Sequence, residues 1–338
     1  MGDAYTAVAD DDSTLFYNPA ALGRHHGVSV YLLNPTVESV NYLKYEERLS
    51  NFPKEPAEIA DKVLGIPLYL RLAAQPTLKF HHLGMTAFIN SKTSLTLENA
   101  IHPTLDIDYR LDRGFVMGYS FILAGNKGAK RQTSGPRTSL GVGIKNMNRQ
   151  GLSGEFDLFG TELLEVISDS SSYKEIRQNM GFSKGSGWGV DIGMEQTFYK
   201  GNSNMNFGLS LLDIGNTRFN RSEGTQKIAE QEMSLNFGSA WTQDFKIFDY
   251  TLAADVHPIN TPLHPMSKLH LGLRAGLPFL KIYGGWNGGY VSYGAAIDLY
   301  LFRLTVGFYG VEVGRTFKEK EAERILVQLN LLKVNVDL

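Results

Sequence analysis

Residues 188–195 read Trp-Gly-Val-Asp-Ile-Gly-Met-Glu, and apolar side chains alternate strictly with polar or absent ones. Successive side chains of a β-strand point to opposite faces, so this stretch predicts a strand with one apolar and one polar face. The same period recurs at Leu140–Ile144, Met205–Leu211 and Leu269–Ala275. The repetition along the chain predicts an all-β protein.

Two of the alternating runs are unusually long. One extends from Leu83 to Leu97 and the other from Leu105 to Leu123, with a turn between Asn99 and Pro103. Soluble β-sandwiches and lipocalin-like barrels share this period, but their strands usually have about 3–10 residues. Tilted membrane strands need about 9–11 residues to cross the hydrocarbon and often project beyond it. The length of the runs favours a transmembrane antiparallel β-barrel over these soluble alternatives.

In such a barrel the polar face lines the lumen. We expect the charged and imidazole side chains of these runs to form the luminal lining, together with many glycines that relieve crowding inside a closed barrel. The predicted lining comprises Lys145, Asp191, Glu195, His270, Arg274, Asp298 and Arg303.

Thirteen strands are predicted from the pattern, whereas single-chain bacterial barrels have an even number. They lie near 27–41, 80–98, 103–124, 137–149, 187–200, 205–217, 231–244, 249–257, 267–276, 280–287, 290–300, 302–313 and 322–338. Division of the third at Leu111–Gly114 would give fourteen. The last strand changes phase at Leu331–Leu332, which predicts a bulge or a bend there.

Composition excludes several classes of protein. The 338 residues contain no cysteine, so disulfides and thiolate metal sites are excluded, and the net charge of −2 gives no basic footprint for nucleic acid. No window approaches the ~20 apolar residues of a membrane helix. The 35 glycines, 19 phenylalanines and 16 tyrosines suit a barrel with a polar lumen and aromatic girdles.

The N-terminus combines small residues, three adjacent acids (Asp10, Asp11 and Asp12) and the turn Asn18-Pro19. A residue before proline is disfavoured in the α region, so Asn18 is expected to be extended. The pattern Ala9-Asp10-Asp11 followed by Asn18-Pro19-Ala20-Ala21-Leu22 resembles the N-terminal segment of outer-membrane barrels of the FadL/PorV superfamily. The resemblance covers about the first twenty-three residues.

This resemblance implies a fourteen-stranded barrel in the outer membrane of a Gram-negative bacterium, with a secretory leader already removed. Residues 1–23 would form a plug in the lumen of a single barrel over 24–338, and Asp10, Asp11, Asp12, Asn18 and Pro19 would form its gate. We expect the plug carboxylates to pair with luminal Lys145, Arg274 or Arg303, or to cap backbone N–H groups.

Two regions interrupt the alternation. Residues 53–76 are predicted to be a helical insertion starting at Pro56, with a hydrophobic loop at Ile66, Leu68, Leu70 and Leu72 that packs on the rim or forms a docking surface at the mouth. Residues 159–186 are predicted to be a second helical insertion. Both are placed on the extracellular side.

Signs of catalysis or metal binding are weak. Ser183 lies in a Gly-x-Ser-x-Gly match, but the order of helix and strand around it is reversed from that of a nucleophile elbow. His25-His26 and His81-His82 could contribute one ligand each, without a recognisable third. No enzyme activity, cofactor or metal is therefore predicted.

Two functions remain open. The first is the binding or uptake of hydrophobic small molecules, such as fatty acids or hydrocarbons, gated by the plug. The second is a PorV-like scaffold for the partner proteins of a secretion or surface-protein machine. Membrane lipids are expected around either barrel, and glycine pairs such as Gly284-Gly285 and Gly288-Gly289 are candidates for a lateral opening.

Overall fold

The computed structural model describes residues 1–49, 56–99, 101–127, 132–157, 180–299 and 301–336. Its strand segments are β1 Val28–Leu33, β2 Thr36–Val40, β3 Leu68–Ala74, β4 Thr77–Lys79, β5 Leu83–Glu98, β6 Thr104–Ala124, β7 Ser134–Asp157, β8 Ser183–Lys200, β9 Ser203–Leu212, β10 Asn220–Glu223, β11 Ser234–Asp244, β12 Asp249–Val256, β13 Leu269–Gly276, β14 Leu280–Asn287, β15 Tyr290–Asp298, β16 Phe302–Glu312 and β17 Glu321–Val336.

These segments form a closed antiparallel barrel of fourteen strands. The first barrel strand consists of β1 and β2, the second consists of β3 and β4, and β10 continues alongside β8 beyond the end of β9. The barrel closes where β17 pairs antiparallel with β1 and β2, so no edge strand is left unpaired.

The distribution of apolar side chains distinguishes a membrane barrel from a soluble one. On β8, Trp188, Val190, Ile192 and Met194 are 43–60% exposed, whereas the alternate side chain of Asp191 is buried. The other long strands show the same inversion. An outer surface of exposed leucine, valine and aromatic side chains is stable in lipid and unstable in water.

The predicted division of the third strand is wrong. β6 is one unbroken strand of 21 residues, and it pairs with β5 in constant register from Leu83↔Tyr119 to Glu98↔Thr104. The strand missing from the sequence prediction is instead the second one, β3 with β4. The turn between β5 and β6 is where it was predicted.

The predicted hydrophobic loop is also wrong, because Leu68, Leu70 and Leu72 belong to β3. Leu70 and Leu72 point outward and are 45% and 47% exposed, whereas Arg71 between them points inward and pairs with Glu38. Their apolar character therefore reflects contact with lipid. Ile66, two residues before β3, is buried.

Helices are short in the described residues: α1 Thr14–Tyr17, α2 Glu46–Leu49 and α3 Pro56–Val63, with 3₁₀ turns at Pro19–Arg24, Tyr42–Tyr45 and Pro265–Lys268. The predicted helix start at Pro56 is confirmed. Most of the second predicted insertion, residues 158–179, lies outside the described residues, and 183–186 belong to β8. None of the described helices has the length and apolar character needed to cross a bilayer.

β2 and β7 run in the same direction, so both strands end at the same end of the barrel. The predicted irregularity near the C-terminus is confirmed: Leu332 has a φ of +56° within β17. The two glycine pairs that were candidates for a lateral opening do not kink a strand. Gly284 and Gly285 lie in unbroken register, and Gly288 and Gly289 form the turn after β14.

Candidate functional site

Residues 1–24, here called the N-terminal segment, lie inside the barrel. Their apolar side chains form two small clusters with the wall, in which Leu15 and Leu22 pack on Val116, and Ala4 and Ala7 pack near β11 and β12. Small residues allow this because a segment between opposing walls has little room for side chains. The segment thus occupies the lumen as a packed element.

The wall is shaped to receive this segment. Eight strands each carry an inward-facing glycine that contacts the N-terminal segment. A Cβ added to any of these glycines would lie within 2.9 Å of an atom of the segment. We call these residues the glycine track: Gly84, Gly118, Gly141, Gly193, Gly208, Gly238, Gly272 and Gly285. Several face one another across the ladder, including Gly84↔Gly118, Gly141↔Gly193 and Gly272↔Gly285. Their absent side chains form a groove that follows the path of the segment.

The Asn18-Pro19 turn lies in the middle of the glycine track. Asn18 is extended as predicted, with φ −159° and ψ 108°. Its Oδ1 accepts a hydrogen bond from the Ala20 amide at 3.0 Å, and its Nδ2 donates to the Met194 carbonyl at 3.3 Å. Asn18 thereby caps the following 3₁₀ turn and holds it against β8.

Three acids of the segment have three different environments. Burial opposes the ionisation of Asp10, but the positive charges of Arg274, Lys79, Arg24 and Arg303 outweigh it and hold the pKa of its carboxyl below the usual value. Lys79 also donates through Nζ to the Asp10 carbonyl. Asp10 is therefore the carboxylate most favoured by the luminal cations.

Asp11 and Asp12 have separate roles. The Asp11 carboxylate accepts hydrogen bonds from the Tyr5 hydroxyl at 2.7 Å and from the Ser13 amide at 3.0 Å, which folds the segment on itself. Asp12 accepts from Asn34 Nδ2 at 2.5 Å. Burial and the neighbouring charge of Asp11 raise the pKa of Asp12 to about 7.

The predicted direct ion pairs between the segment carboxylates and Lys145, Arg274 or Arg303 do not form. Each cation pairs instead with wall carboxylates within hydrogen-bond distance, which the register of the strands brings alongside. The pairs are Lys145 with Asp191 and Asp213 (3.0 and 2.7 Å), Arg274 with Asp249 (3.1 Å), and Arg303 with Asp298 (2.5 Å). Asp298 also pairs with Lys281.

Two groups of contacts that hold the segment have the opposite polarity, and they were missed in the sequence. Arg24 of the segment pairs with buried Glu195 at 2.6 Å. The Asp255 carboxylate of β12 accepts hydrogen bonds from the amides of Tyr5 and Thr6 at 2.7 and 2.6 Å. His270 contacts the Gly2 carbonyl through Nδ1 at 3.0 Å. Wall carboxylates therefore bind the cation and the backbone donors of the segment.

A cavity of about 1570 Å³ remains beside the segment. The segment provides one side of it through Asp10, Asp11 and Phe16, and the barrel wall provides the other through aromatic, aliphatic and ion-paired side chains. Among the inward-facing wall residues are Tyr31, Phe88, Met147, Tyr283 and Tyr309. The cavity combines apolar surface with charges that are already paired.

The wall next to the cavity is interrupted between the first two barrel strands. Tyr31 pairs with Thr77 and Thr36 pairs with Ala73. The first strand therefore advances by five residues where the second advances by four. The extra residue forms a bulge at Asn34-Pro35 and Gln75-Pro76, where the prolines lack an N–H for the ladder.

One side chain bridges this interruption. Asn34 is fully buried, its Nδ2 donates to the Gln75 carbonyl at 2.8 Å, and its Oδ1 accepts from the Gln75 amide at 2.8 Å. A side-chain amide therefore replaces the missing ladder hydrogen bonds. The same Nδ2 donates to Asp12, which connects the interruption to the N-terminal segment.

The remaining sequence candidates have ordinary contacts. Ser183 Oγ donates to the Gln226 carbonyl at 2.9 Å. The histidine pairs do meet, with the His26 and His81 rings stacked at 6.1 Å. In the part of the chain that the structure describes, no third ligand atom completes a metal site there.

A family profile described as a family of unknown function, DUF5723, matches residues 39–262. The chain belongs to the DUF5723 family. No curated protein matches the sequence. The matched region begins within β2 and ends beyond β12, so it covers most of the DUF5723 barrel but not the N-terminal segment.

Several solved structures are similar to the DUF5723 chain in fold. A TodX deltaS2S3 mutant monoaromatic hydrocarbon channel is 9% identical, with 96% of this chain and 95% of that chain covered and a TM-score of 0.53. The Pseudomonas putida toluene transporter TodX is 10% identical over 98% and 94%, with a TM-score of 0.46. CdiB from Acinetobacter baumannii is 10% identical, with a TM-score of 0.40, and the DUF5723 chain spans 60% of its length.

The first of these similarities shows the fold. The DUF5723 chain has a β-barrel fold similar to that of this hydrocarbon channel.

Proposed function

We propose that this protein takes up small hydrophobic molecules across the outer membrane and that the N-terminal segment closes the barrel at rest. The observation that carries the proposal is the cavity of about 1570 Å³ between that segment and the wall. It exceeds the usual 300–1,000 Å³ of a ligand site, so one small molecule can enter without unfolding the barrel.

The chemistry of the cavity favours a molecule with an apolar or aromatic body. Phe16, Tyr31, Phe88 and Tyr283 offer ring faces and edges. The nearby cations Arg274 and Arg303 are already paired with Asp249 and Asp298, so a charged ligand would have to displace these partners. The solved relative named as a monoaromatic hydrocarbon channel supports the same ligand class.

The interruption at Asn34 and Gln75 supports a route through the wall. It borders the cavity, since Gln75 and Asp12 line it, and outward-facing Leu33 and Leu72 lie beside it. A molecule leaving there would pass into lipid without crossing the polar periplasmic end. In this proposal Asn34 closes the route while Asp12 keeps it closed.

The test is the entry of N-phenyl-1-naphthylamine, an apolar aromatic dye, into intact Gram-negative host cells that express the chain. We expect faster entry than with empty vector, and a further rise when the N-terminal segment is loosened by Gly141→Ala. Nitrocefin, a polar solute, is the control and should enter at an unchanged rate. Dye entry at the vector rate, or a rise for nitrocefin alone, would overturn the proposal.

A scaffold function has one observation in its favour. β7 has 24 residues, which at about 3.4 Å each span roughly 80 Å, far more than an apolar band about 25 Å tall requires even with tilt. Its neighbours β6 and β8 are also long, so a sheet projects from the membrane. A partner protein in fixed stoichiometry after detergent extraction, with no dye uptake, would favour this function.

A further inference from the structure

The first residues of the N-terminal segment lie against two histidines of the barrel wall. His257 directly follows β12, His270 is the second residue of β13, and Asp3 belongs to the segment. Asp3 lies more than 250 positions before either histidine, so no spacing motif in the sequence indicates the cluster. The fold alone brings them together.

The three side chains are within reach of a common point. One carboxylate oxygen of Asp3 and one ring nitrogen of each histidine lie within 4.8 Å of one another. His270 is buried, the His257 side chain is 15% exposed, and the Asp3 side chain is 44% exposed and lines the luminal cavity. The imidazoles are therefore held by the wall, whereas the carboxylate lies at the edge of the cavity, where its Oδ1 accepts a hydrogen bond from the Tyr17 hydroxyl at 2.5 Å.

The two rings form a close pair. Their centroids are 4.0 Å apart and their planes differ by 4°. His257 Nε2 lies 3.1 Å from the Asp3 carbonyl, and His270 Nδ1 lies 3.0 Å from the Gly2 carbonyl. Both histidines therefore already contact the segment, and they do so through its backbone.

Two imidazoles with one carboxylate form a ligand set typical of Zn²⁺ and related divalent metals. Metal–ligand distances of about 2.0–2.2 Å require the three atoms to approach by roughly 1 Å or more from their present separation. An ion in the plane of both rings also requires each ring to turn out of the parallel stack about its Cβ–Cγ bond. This rotation leaves the backbone of both strands in place.

We propose that Asp3, His257 and His270 bind one divalent transition-metal ion of the Zn²⁺ class, which ties the N-terminal segment to the wall. The carboxylate comes from the segment and both imidazoles come from the barrel, so a complete site exists only when the segment is docked. Water from the cavity would fill the remaining coordination position.

Such a site links metal binding to docking. An ion that binds only the docked state shifts the equilibrium between docked and released segment about 100-fold when its concentration is 100 times its Kd. The metal would therefore hold the barrel closed. This consequence rests on the proposed function, whereas the binding itself does not.

The test uses the full chain in detergent, stripped with EDTA and titrated with Zn²⁺ by calorimetry, with metal content measured after dialysis. We expect one Zn²⁺ per chain, and at least a tenfold loss of affinity in Asp3→Asn and in His270→Gln. His264→Gln is the matched control, because His264 is a histidine of the same β12–β13 connection outside the cluster. Heat-dependent migration on gels checks that each variant forms the barrel.

The second measurement is hydrogen exchange of the amides of residues 4–9 with and without Zn²⁺. We expect slower exchange with Zn²⁺ in the parent chain and no change in Asp3→Asn. The proposal would be overturned if the parent chain did not bind Zn²⁺ or if Asp3→Asn bound it with equal affinity. It would also be overturned if Zn²⁺ bound without slowing the exchange of these amides. No transported solute is involved, so this failure is distinct from a failure of the uptake proposal.

Discussion

Gly141→Ala is expected to release the N-terminal segment from the wall. The added Cβ would lie 2.2 Å from the Ala20 backbone nitrogen, where about 3.4 Å is the lower end of ordinary contact. The segment must therefore retreat by roughly 1.2 Å, the difference between these two distances. Gly141 is held in a regular strand by both neighbours, so the wall has little freedom to yield.

This retreat has a calculable cost. Ser120 and Ser139 donate hydrogen bonds to the Ala20 carbonyl at 3.2 and 3.0 Å, and a shift of that size lengthens both beyond a useful distance. Overpacking typically costs 1–3 kcal/mol, and each lost hydrogen bond about 1 kcal/mol. We take about 3 kcal/mol in total, which corresponds to an increase of roughly 100-fold in the released fraction.

The absence of cysteine provides a clean assay. Thr14 of the segment is 2% exposed, so Thr14→Cys gives a single buried thiol whose labelling by a maleimide reports release. The labelling rate should rise by about two orders of magnitude when Gly141→Ala is added.

The matched control is Gly143→Ala, two residues along the same face, where the new Cβ would have its nearest neighbour at an ordinary 3.4 Å. It should leave the rate within a few-fold of the parent. An unchanged rate in Gly141→Ala, or an equal rise in both variants with the barrel intact, would refute the account of the glycine track.

Three further predictions concern the same segment. Glu195→Gln leaves Arg24 without its buried partner, which typically costs 3–5 kcal/mol, so thiol labelling at Thr14→Cys should rise more than tenfold; a parental rate would contradict the role of this pair. Because the pKa of Asp12 is raised to about 7 in the docked segment, docking binds a proton and should weaken as pH rises from about 4 through 7. Because maleimide reacts with the thiolate, each labelling rate is divided by the rate of the same thiol in the denatured chain at the same pH. The corrected rate should be higher at pH 8 than at pH 5.5, and Asp12→Asn should remove this difference, whereas a persistent one would implicate another group. Asn34→Ala removes the bridge to Gln75 and should raise entry of N-phenyl-1-naphthylamine into cells, whereas unchanged entry would argue against a route through this part of the wall.

The strands of the barrel could be predicted because alternation is a local property. Inward and outward faces repeat every two residues, so β8 with Trp188 and Asp191 on opposite faces is visible in any short window. The sequence prediction missed β3 because the apolar run at Leu68–Leu72, followed by Pro76, resembled a loop on the rim of the barrel. The bulge at Asn34 and Gln75 shortens both segments of the first two strands, which weakens the local signal there.

The partners of the luminal charges could not be predicted in the same way. A charge on an inward face meets whatever the neighbouring strand presents at that height, and a shift of one residue changes every partner. Arg274 and Asp249 meet because β12 and β13 pair with Thr251 opposite Arg274. Composition shows an abundance of both signs in the lumen, but only the register decides that the wall cations are satisfied by wall carboxylates.

The glycines carry information that alternation alone does not use. A single inward glycine relieves crowding between side chains in the lumen. Glycines that pair with each other on neighbouring strands instead form a groove in the wall. Gly84↔Gly118 and Gly272↔Gly285 lie at opposite ends of this groove, and residues 1–23 follow it between them. An empty groove would leave strands weakened by glycine with nothing packed on them. The glycine track and the N-terminal segment therefore stabilise each other.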